Sequence, residues 1–351
     1  MAKRMLDRRT FNQLLAMSLA AAATPIAPAW AQAKKRNLVI GHTGITWPGR
    51  GRGGGGAPPA PPAAPPAVPP AGAQAPSPAG APGGGRRAGG PPPPPDPALN
   101  ETIFKDVSEL GFSGLELFDW QVNGLESQGV LGGFVEKYKL PLISSYTSIN
   151  LTDPTQRADT IAAAVAVGKI LKKYGGRTIV IGPSGRVGGQ SYVYNDHKQD
   201  IVTTLNELGK AITDIGLIAA LHQHTGTAVE TRDETYATME AVDTRVVKFG
   251  PDIGQLQKGG VDPVEVVKHF LPVVQHMHVK DWVGGPSMAG YCALGLGKVD
   301  LVGVLDLMDG RKIDGMMMVE LDSGGQMPYT PREAAQTAHD WLVKNGVTMK
   351  A

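Results

Sequence analysis

Residues 178–181 read T-I-V-I, residues 197–215 read H-K-Q-D-I-V-T-T-L-N-E-L-G-K-A-I-T-D-I, and residues 217–222 read L-I-A-A-L-H. The outer two segments are short apolar runs, which is typical of buried strands. In the middle segment the apolar residues recur every three or four positions, as they do on one face of a helix. A strand, a helix and a second strand in this order indicate the βαβ unit of a parallel sheet.

The same alternation continues from residue 37 almost to the C terminus and predicts eight strands and eight helices. The other strands are predicted at 37–43, 114–118, 142–146, 246–249, 274–280 and 316–321, and further helices at 160–174 and 331–344. Strict alternation over about 250 residues predicts an α/β fold, a single-domain (β/α)₈ TIM barrel. A doubly wound, Rossmann-like sheet is the alternative, but no G-x-G-x-x-G follows the first strand.

The N-terminal residues 1–33 have the composition of an export signal. Four basic residues near the start are followed by an apolar stretch at 14–29 and by small residues before position 34. The string R-R-T-F at 8–11 resembles a twin-arginine signal, so we expect the twin-arginine translocation (Tat) export machinery as a partner and a periplasmic location. A cytoplasmic amphipathic helix is the alternative. Because no stretch offers about 18 uncharged apolar residues, no stable membrane span is predicted.

Residues 48–97 consist almost entirely of Gly, Pro and Ala with four arginines. Such a composition buries too little apolar surface to offset the entropy of the chain, so we predict a disordered insertion. Strand-like and helical patterns lie on both sides of it, which places it in the first strand-to-helix loop of a barrel domain spanning 34–351. A surface tether or cell-envelope spacer is an alternative role.

Charge and cysteine content exclude several classes of protein. The formal net charge is +2, and the predicted signal peptide contributes +3, so the rest of the chain is near −1. This balance does not suggest a nucleic-acid partner. The only cysteine, Cys292, excludes an intramolecular disulfide.

Two H-x-H strings contain four of the eight histidines. In a TIM barrel, functional side chains project from the carboxyl ends of the strands. Alternation along the fifth strand points His222 and His224 to one side, and along the seventh strand it groups His276, His278 and Lys280. Imidazoles at strand ends indicate metal binding or acid–base chemistry. For His276, one layer deeper, a hydrogen-bonded core role is favoured.

Carboxylates follow the sixth and eighth strands. Asp252 lies in F-G-P-D-I-G-Q, where capping of the next turn is the alternative role, and Glu320 lies in M-V-E-L-D. A buried carboxylate is costly unless it is paired or binds a metal. Together with the imidazoles, these groups would suit one divalent ion, Mn²⁺, Co²⁺, Mg²⁺, Fe²⁺ or Zn²⁺, with positions open to substrate oxygens.

Other polar residues lie where a substrate would need partners. Glu116 ends the second strand, and His42 and Trp47 flank the end of the first. The indole of Trp47 could stack on a sugar ring, although a core aromatic is an equal alternative. Asp300 in G-L-G-K-V-D is expected to cap the seventh helix.

Taken together, the motifs resemble a known family. H-Q-H-T-G-T, D-I-G-Q, H-M-H-V-K-D, G-L-G-K-V-D and V-E-L-D occur in the order seen in the xylose-isomerase-like barrels of sugar isomerases, epimerases and dehydratases, most closely in inosose dehydratases. The resemblance covers about residues 37–346 without the insertion. It implies one metal held at the ends of strands five to eight, here by His222, Asp252, His278 and Glu320.

Two positions depart from the family pattern. Many relatives have glutamate in place of His222, although the dehydratase-like branch also has H-x-H. The usual aspartate-x-glycine-histidine is D-I-G-Q here, so Gln255 replaces a histidine that contacts substrate or a further metal in relatives. This replacement puts a second metal in doubt.

The resemblance implies proton abstraction next to the carbonyl of a keto-sugar, keto-inositol or oxidised glycoside, which export favours in non-phosphorylated form. An enediolate would then be reprotonated or would expel a β-oxygen, giving isomerase, epimerase or dehydratase (lyase) chemistry. A non-catalytic exported carbohydrate-binding barrel is the alternative. Candidate catalytic residues are Lys280, His224 and Glu320, and candidate substrate-binding residues are Glu116, Gln255, Trp47 and His42.

Overall fold

The structure is a computed structural model that describes residues 34–47, 94–188, 191–322 and 327–350. Parallel strands form its centre. Eight of the strands in these ranges surround one axis. They are β1 (Ile40–Thr43), β2 (Leu115–Phe118), β3 (Leu142–Asn150), β4 (Thr178–Ser184), β5 (Ile218–Leu221), β6 (Val247–Phe249), β7 (Met277–Val279) and β10 (Met317–Val319). A two-stranded hairpin, β8 (Asp281–Trp282) and β9 (Tyr291–Cys292), follows β7.

The strand order shows that the sheet closes on itself. The hydrogen-bonded order is β6-β5-β4-β3-β2-β1-β10-β7, and β1 pairs in parallel with both β2 and β10. Two isolated parallel bridges, Phe249 with Val274 and Asp252 with His278, connect β6 to β7. The predicted (β/α)₈ barrel is therefore confirmed, and the doubly wound alternative is wrong because first and last strands are neighbours.

Helices cover the outside of the barrel. In the described ranges they are α1 (Pro97–Glu109), α2 (Asp119–Ser127), α3 (Leu131–Tyr138), α4 (Arg157–Lys173), α5 (Tyr194–Asp214), α6 (Arg232–Met239), α7 (Ile253–Lys258), α8 (Pro263–Phe270), α9 (Leu301–Met308) and α10 (Pro331–Lys344). Two helices instead of one separate β2 from β3 and β6 from β7. Capping residues fix several helix starts: Thr330 and Glu333 form a capping box on α10, and Asp300 caps α9, both as expected.

Apolar side chains fill the space between the strands and the helices. Helix α5 buries Ile201, Leu205, Leu208 and Ile212, which are spaced three or four residues apart. A separate small cluster, formed by Ile143, Met316 and Met318, fills the barrel interior. This packing leaves the carboxyl ends of the strands for polar side chains.

Some predictions fall outside the described residues. The signal peptide at 1–33 and residues 48–93 of the insertion are among them, so their assignment stays a prediction. The helical region resumes slightly earlier than expected, because Asp96 caps α1 and Pro97 is its first residue. None of the helices within the described ranges is long and apolar enough to cross a membrane.

Candidate metal and substrate site

Four predicted metal ligands converge at the carboxyl ends of four strands. His222 follows β5, Asp252 follows β6, His278 lies within β7 and Glu320 follows β10. The first three are completely buried and Glu320 is 7% exposed. Residues up to 98 positions apart in the chain therefore share one buried cluster.

Distances within this cluster are compatible with a common ion. One donor atom each from His222, Asp252 and His278 lies within 4.8 Å of the others, and His222 Nε2 is 3.9 Å from Asp252 Oδ2. Glu320 Oε2 lies 2.7 Å from His278 Nδ1. Two ligand atoms each about 2.1 Å from one ion are at most about 4.2 Å apart, so small side-chain movements would suffice.

Several donor atoms in the cluster lack hydrogen-bond partners. His222 Nε2, Asp252 Oδ2 and both ring nitrogens of His278 are buried without a well-aligned hydrogen bond among the described residues. These atoms do lie close to charged neighbours, but the contacts do not have hydrogen-bond geometry and therefore act mainly through charge. Since buried polar atoms are nearly always paired, these nitrogen and oxygen atoms fit a divalent cation.

Backbone contacts orient two of these ligands. The Nδ1–H group of His222 donates to the Gly250 carbonyl at 3.1 Å, which leaves the Nε2 lone pair facing the cluster. Asp252 Oδ1 accepts the backbone N–H groups of Gly254 and Gln255 at the start of α7. Asp252 thus caps the helix with one oxygen while the other oxygen faces His222.

Lys280 is a fully buried cation surrounded by carboxylates. Its Nζ lies 2.9 Å from Asp252 Oδ2, 2.5 Å from Glu320 Oε1 and 3.0 Å from Asp322 Oδ2. Burial opposes its charge, but these carboxylates outweigh burial and hold its pKa well above the ordinary value. Lys280 is therefore held as an ammonium, which can stabilise negative charge on a substrate oxygen.

Space for the Lys280 side chain depends on a glycine in D-I-G-Q. A Cβ atom at Gly254 would lie 2.7–2.9 Å from the Cβ, Cγ and Cδ atoms of Lys280. These atoms belong to the base of the chain and cannot swing away. Glycine at this position thus lets the first turn of α7 pass directly over the lysine.

The cluster carries an excess of negative charge. Asp252, Glu320 and Asp322 surround the Lys280 ammonium, and a fourth carboxylate, Glu116, lies against His278. Burial opposes charging of His278, yet Glu116 and Glu320 raise its pKa well above the usual value. Positive charge is thus strongly favoured here, whether it is carried by protons or by a metal.

The structure places His224 and Gln255 in a separate network. His224 Nδ1–H donates to the Thr225 carbonyl at 2.8 Å, and Gln255 Nε2–H donates to His224 Nε2 at 2.7 Å. Gln255 Oε1 accepts from the Thr225 hydroxyl at 2.6 Å. Both nitrogens of His224 are therefore occupied, and burial lowers its pKa. A catalytic role for His224 stays a prediction, and this arrangement does not favour it.

His42 and Trp47 lie beside the core. The His42 ring packs edge-on against Trp47 and Phe112, and burial lowers the pKa of His42 to about 4, which keeps it neutral. The Trp47 indole N–H donates to Asp106 Oδ2 at 3.1 Å, and the residue is 6% exposed. This packing favours the core alternative for Trp47, and substrate contact by either residue stays a prediction.

The sequence matches the model of one known protein family. The family model described as "Xylose isomerase-like TIM barrel" matches residues 104–345, more than half of the chain. The chain belongs to the xylose isomerase-like TIM barrel family. The resemblance predicted from the motifs is thereby confirmed.

The proteins to which this chain is similar have different activities. An inosose dehydratase from Clostridium botulinum (strain Alaska E43 / Type E3) is 25% identical over 247 residues, covering 63% of this chain and 82% of the relative. A 3-keto-D-glucoside 4-epimerase from E. coli is similar with a TM-score of 0.55 and 16% identity, covering 69% and 93% of the two chains. A zinc-bound IolI protein has a TM-score of 0.58 and 19% identity, covering 70% and 92%. The two structural similarities show the fold alone.

Two further residues, Gln223 and Tyr146, contact the site without being predicted from the sequence. Gln223, on the outward side of the H-Q-H string, donates from Nε2 to the Asp252 carbonyl at 2.9 Å. Tyr146 packs edge-on against His222, and Gly182 leaves room for its ring. Tyr146 is the last residue of the predicted strand 142–146, and β3 continues beyond it to Asn150. Its neighbours only become apparent once the strands are aligned.

Asp281 organises the loop beside the site. Its buried carboxylate accepts the backbone N–H groups of Trp282, Gly295, Gly297 and Val299 at 2.8–3.2 Å. The G-L-G-K-V-D loop is thus folded around this one side chain. In the string H-M-H-V-K-D, Lys280 therefore provides the buried positive charge of the site, and the adjacent Asp281 holds the loop.

Asp281→Ala is expected to lower the free energy of unfolding by about 3 kcal/mol or more, because several charge-assisted hydrogen bonds are lost together. Urea denaturation measures this change. Asp262→Ala is the control, since Asp262 caps α8 with an exposed carboxylate and should cost only about 1 kcal/mol. Equal losses in the two variants would contradict the anchoring role.

Proposed function

We propose that this protein is a metal-dependent enzyme acting next to a carbonyl of a sugar-like substrate, as an isomerase, an epimerase or a dehydratase. The substrate class follows that of the named relatives, which include an inosose dehydratase and a 3-keto-D-glucoside 4-epimerase. The preference for a non-phosphorylated keto-sugar, keto-inositol or oxidised glycoside rests on the predicted export signal.

One observation carries the proposal. His222, Asp252 and His278 bring buried donor atoms without an aligned hydrogen bond to one point, and Glu320 adjoins it. A purely structural cluster would be expected to satisfy these atoms internally. The identity of the ion stays open among Mn²⁺, Co²⁺, Mg²⁺, Fe²⁺ and Zn²⁺, because this mixed set of ligands suits several of them.

The bound ion would supply Lewis acidity toward substrate oxygens. The protein's own groups would move the protons. The Lys280 ammonium is placed to donate a proton to an oxygen that becomes negative or leaves. Glu320 and Asp322, each in contact with Lys280, are the most exposed carboxylates of the cluster, at 8% and 22% of their side chains, so substrate would approach from their side.

Two outcomes are open to a substrate whose proton beside the carbonyl has passed to one of the carboxylates on this side of the site, Glu320 or Asp322. Return of a proton to carbon gives an isomer or epimer. Departure of a β-oxygen as water, with the proton that Lys280 can deliver, gives a dehydrated product. The buried ammonium favours the second outcome, because a leaving hydroxide needs a proton donor.

The test is a substrate screen in D₂O with protein loaded with Mn²⁺. Keto-inositols, keto-sugars and 3-keto-glycosides, with phosphorylated counterparts as a separate arm, are followed by mass spectrometry and, after the paramagnetic ion is removed, by NMR. We expect deuterium next to the ketone together with the loss of one water. Deuterium incorporation with no loss of water would assign epimerase or isomerase chemistry instead.

Metal-free protein is the control and should give neither signal. Saturable binding of these sugars without exchange or turnover, in the metal-loaded protein, would overturn the enzyme proposal and leave a carbohydrate-binding barrel.

A further inference from the structure

Glu116 lies beneath the metal cluster instead of at its mouth. It is 2% exposed, and its neighbours in the barrel are Ser144, His276 and His278. The pairing of β2 with β3 places Glu116 directly beside Ser144. This depth separates Glu116 from a substrate that would enter past Asp322.

One oxygen of Glu116 is held by two donors. Ser144 Oγ donates to Glu116 Oε2 at 2.6 Å. His276 Nδ1 accepts the backbone N–H of Met316 at 3.4 Å, so its Nε2 carries the hydrogen and donates to the same Glu116 oxygen at 3.0 Å. The hydrogen-bonded core role predicted for His276 thus has a defined partner.

The other oxygen of Glu116 faces a metal ligand. Glu116 Oε1 lies 2.8 Å from His278 Nε2, while His278 Nδ1 lies 2.7 Å from Glu320 on the opposite side of the ring. A hydrogen on Nε2, drawn toward Glu116, leaves the Nδ1 lone pair for the cluster. Carboxylates that hold the second nitrogen of a histidine ligand orient the ring and increase its basicity.

Glu116, His276 and His278 could also form a second ion site, since their donor atoms lie within 4.8 Å of one another. The hydrogen bonds argue against this. Oε2 of Glu116 and both nitrogens of His276 already have hydrogen-bond partners, whereas His222 Nε2 and Asp252 Oδ2 in the other group have none.

We propose that Glu116 is a positioning residue for the metal ligand His278, itself fixed by Ser144 and His276. The inference rests on the proposed metal site and replaces the substrate-binding role expected from the sequence. It explains why a carboxylate is needed: Oε2 of Glu116 accepts from Ser144 and His276 while Oε1 lies against His278 Nε2, whereas an amide has an acceptor on only one side.

The test is Glu116→Gln, with metal binding as the readout. Mn²⁺ affinity is measured by chelator competition, and the d–d absorption of bound Co²⁺ reports the ligand geometry. We expect one ion per chain in both proteins, an affinity about 10- to 100-fold weaker in the variant, and a shifted Co²⁺ spectrum. Circular dichroism establishes that the variant is folded.

A milder matched pair keeps the proposal testable if Glu116→Gln does not fold. Ser144 and Ser145 are adjacent on β3, but only the Ser144 hydroxyl contacts Glu116, whereas the buried Ser145 hydroxyl has no hydrogen-bond partner. Ser144→Ala should weaken Mn²⁺ binding several-fold, and Ser145→Ala should leave it unchanged.

The remaining outcomes separate this inference from the proposed function. Equal affinity and an identical Co²⁺ spectrum in wild type and Glu116→Gln would overturn the positioning role while the metal site stands. Two ions in the wild type and one in Glu116→Gln would make Glu116 a ligand and also overturn it. A wild type that binds no ion would overturn the proposed function itself.

Discussion

Asp252→Asn is expected to lower kcat/KM by on the order of 10³-fold or more, which corresponds to about 4 kcal/mol of transition-state stabilisation. Asparagine keeps an oxygen that can cap α7, but it replaces the charged Oδ2 that faces His222 and Lys280. The amide would direct its hydrogens either at the ammonium or at the ligand position. Metal content and turnover, measured on the same preparation, give the result.

Asp300→Asn is the matched control. Asp300 also caps a helix through one carboxylate oxygen, which accepts from the Gly303 N–H at 2.8 Å, but it lies on the exposed start of α9. The same chemical change there should leave metal content and turnover unaltered. If Asp252→Asn kept full metal content and activity, Asp252 would be a helix cap and no ligand.

Lys280→Met is expected to lower the free energy of unfolding of the metal-free protein by about 3–5 kcal/mol. Methionine has a similar length, but it leaves Asp252, Glu320 and Asp322 without their buried ammonium, and an uncompensated buried charge is expensive. Added Mn²⁺ should recover more stability in this variant than in the wild type, because a cation replaces the one removed. Urea denaturation with and without the ion measures both effects, and turnover should fall with loss of the proton donor.

Lys210→Met controls for the loss of a lysine ion pair as such. Lys210 Nζ lies 2.7 Å from Asp214, a distance like those of Lys280, but both side chains are exposed to solvent. Its replacement should change stability by no more than the error of the measurement. A Lys280→Met protein as stable as the wild type would show that the buried ammonium does not balance the carboxylates.

The fold could be predicted from the sequence because its elements are locally encoded. Helix α10 has the predicted bounds, 331–344, because Thr330, Pro331 and Glu333 define its start. Strand ends were less predictable. Predicted strand 274–280 shortened to Met277–Val279, and predicted strand 142–146 lengthened to Leu142–Asn150. These limits depend on pairing with neighbouring strands, which a single segment does not encode.

The site was predictable to the extent that it follows from strand alternation. The positions of His222, Asp252, His278 and Glu320 came from the rule that barrel strands present residues at their carboxyl ends. The contacts that each of these side chains makes with its neighbours could not be predicted from that rule. Glu116 was expected at the end of the second strand, yet β2 continues to Phe118, and Glu116 lies within it, in contact with His278. The location of Glu116 depends on contacts between segments that are far apart in the sequence.

Anomalous diffraction from crystals of protein loaded with Co²⁺ is the most direct test of the metal site. The expected map has a single strong peak per chain, about 2.0–2.3 Å from nitrogen or oxygen atoms of His222, Asp252, His278 and Glu320. Absence of a peak at this point in fully active protein, or a peak held by other residues, would contradict the account.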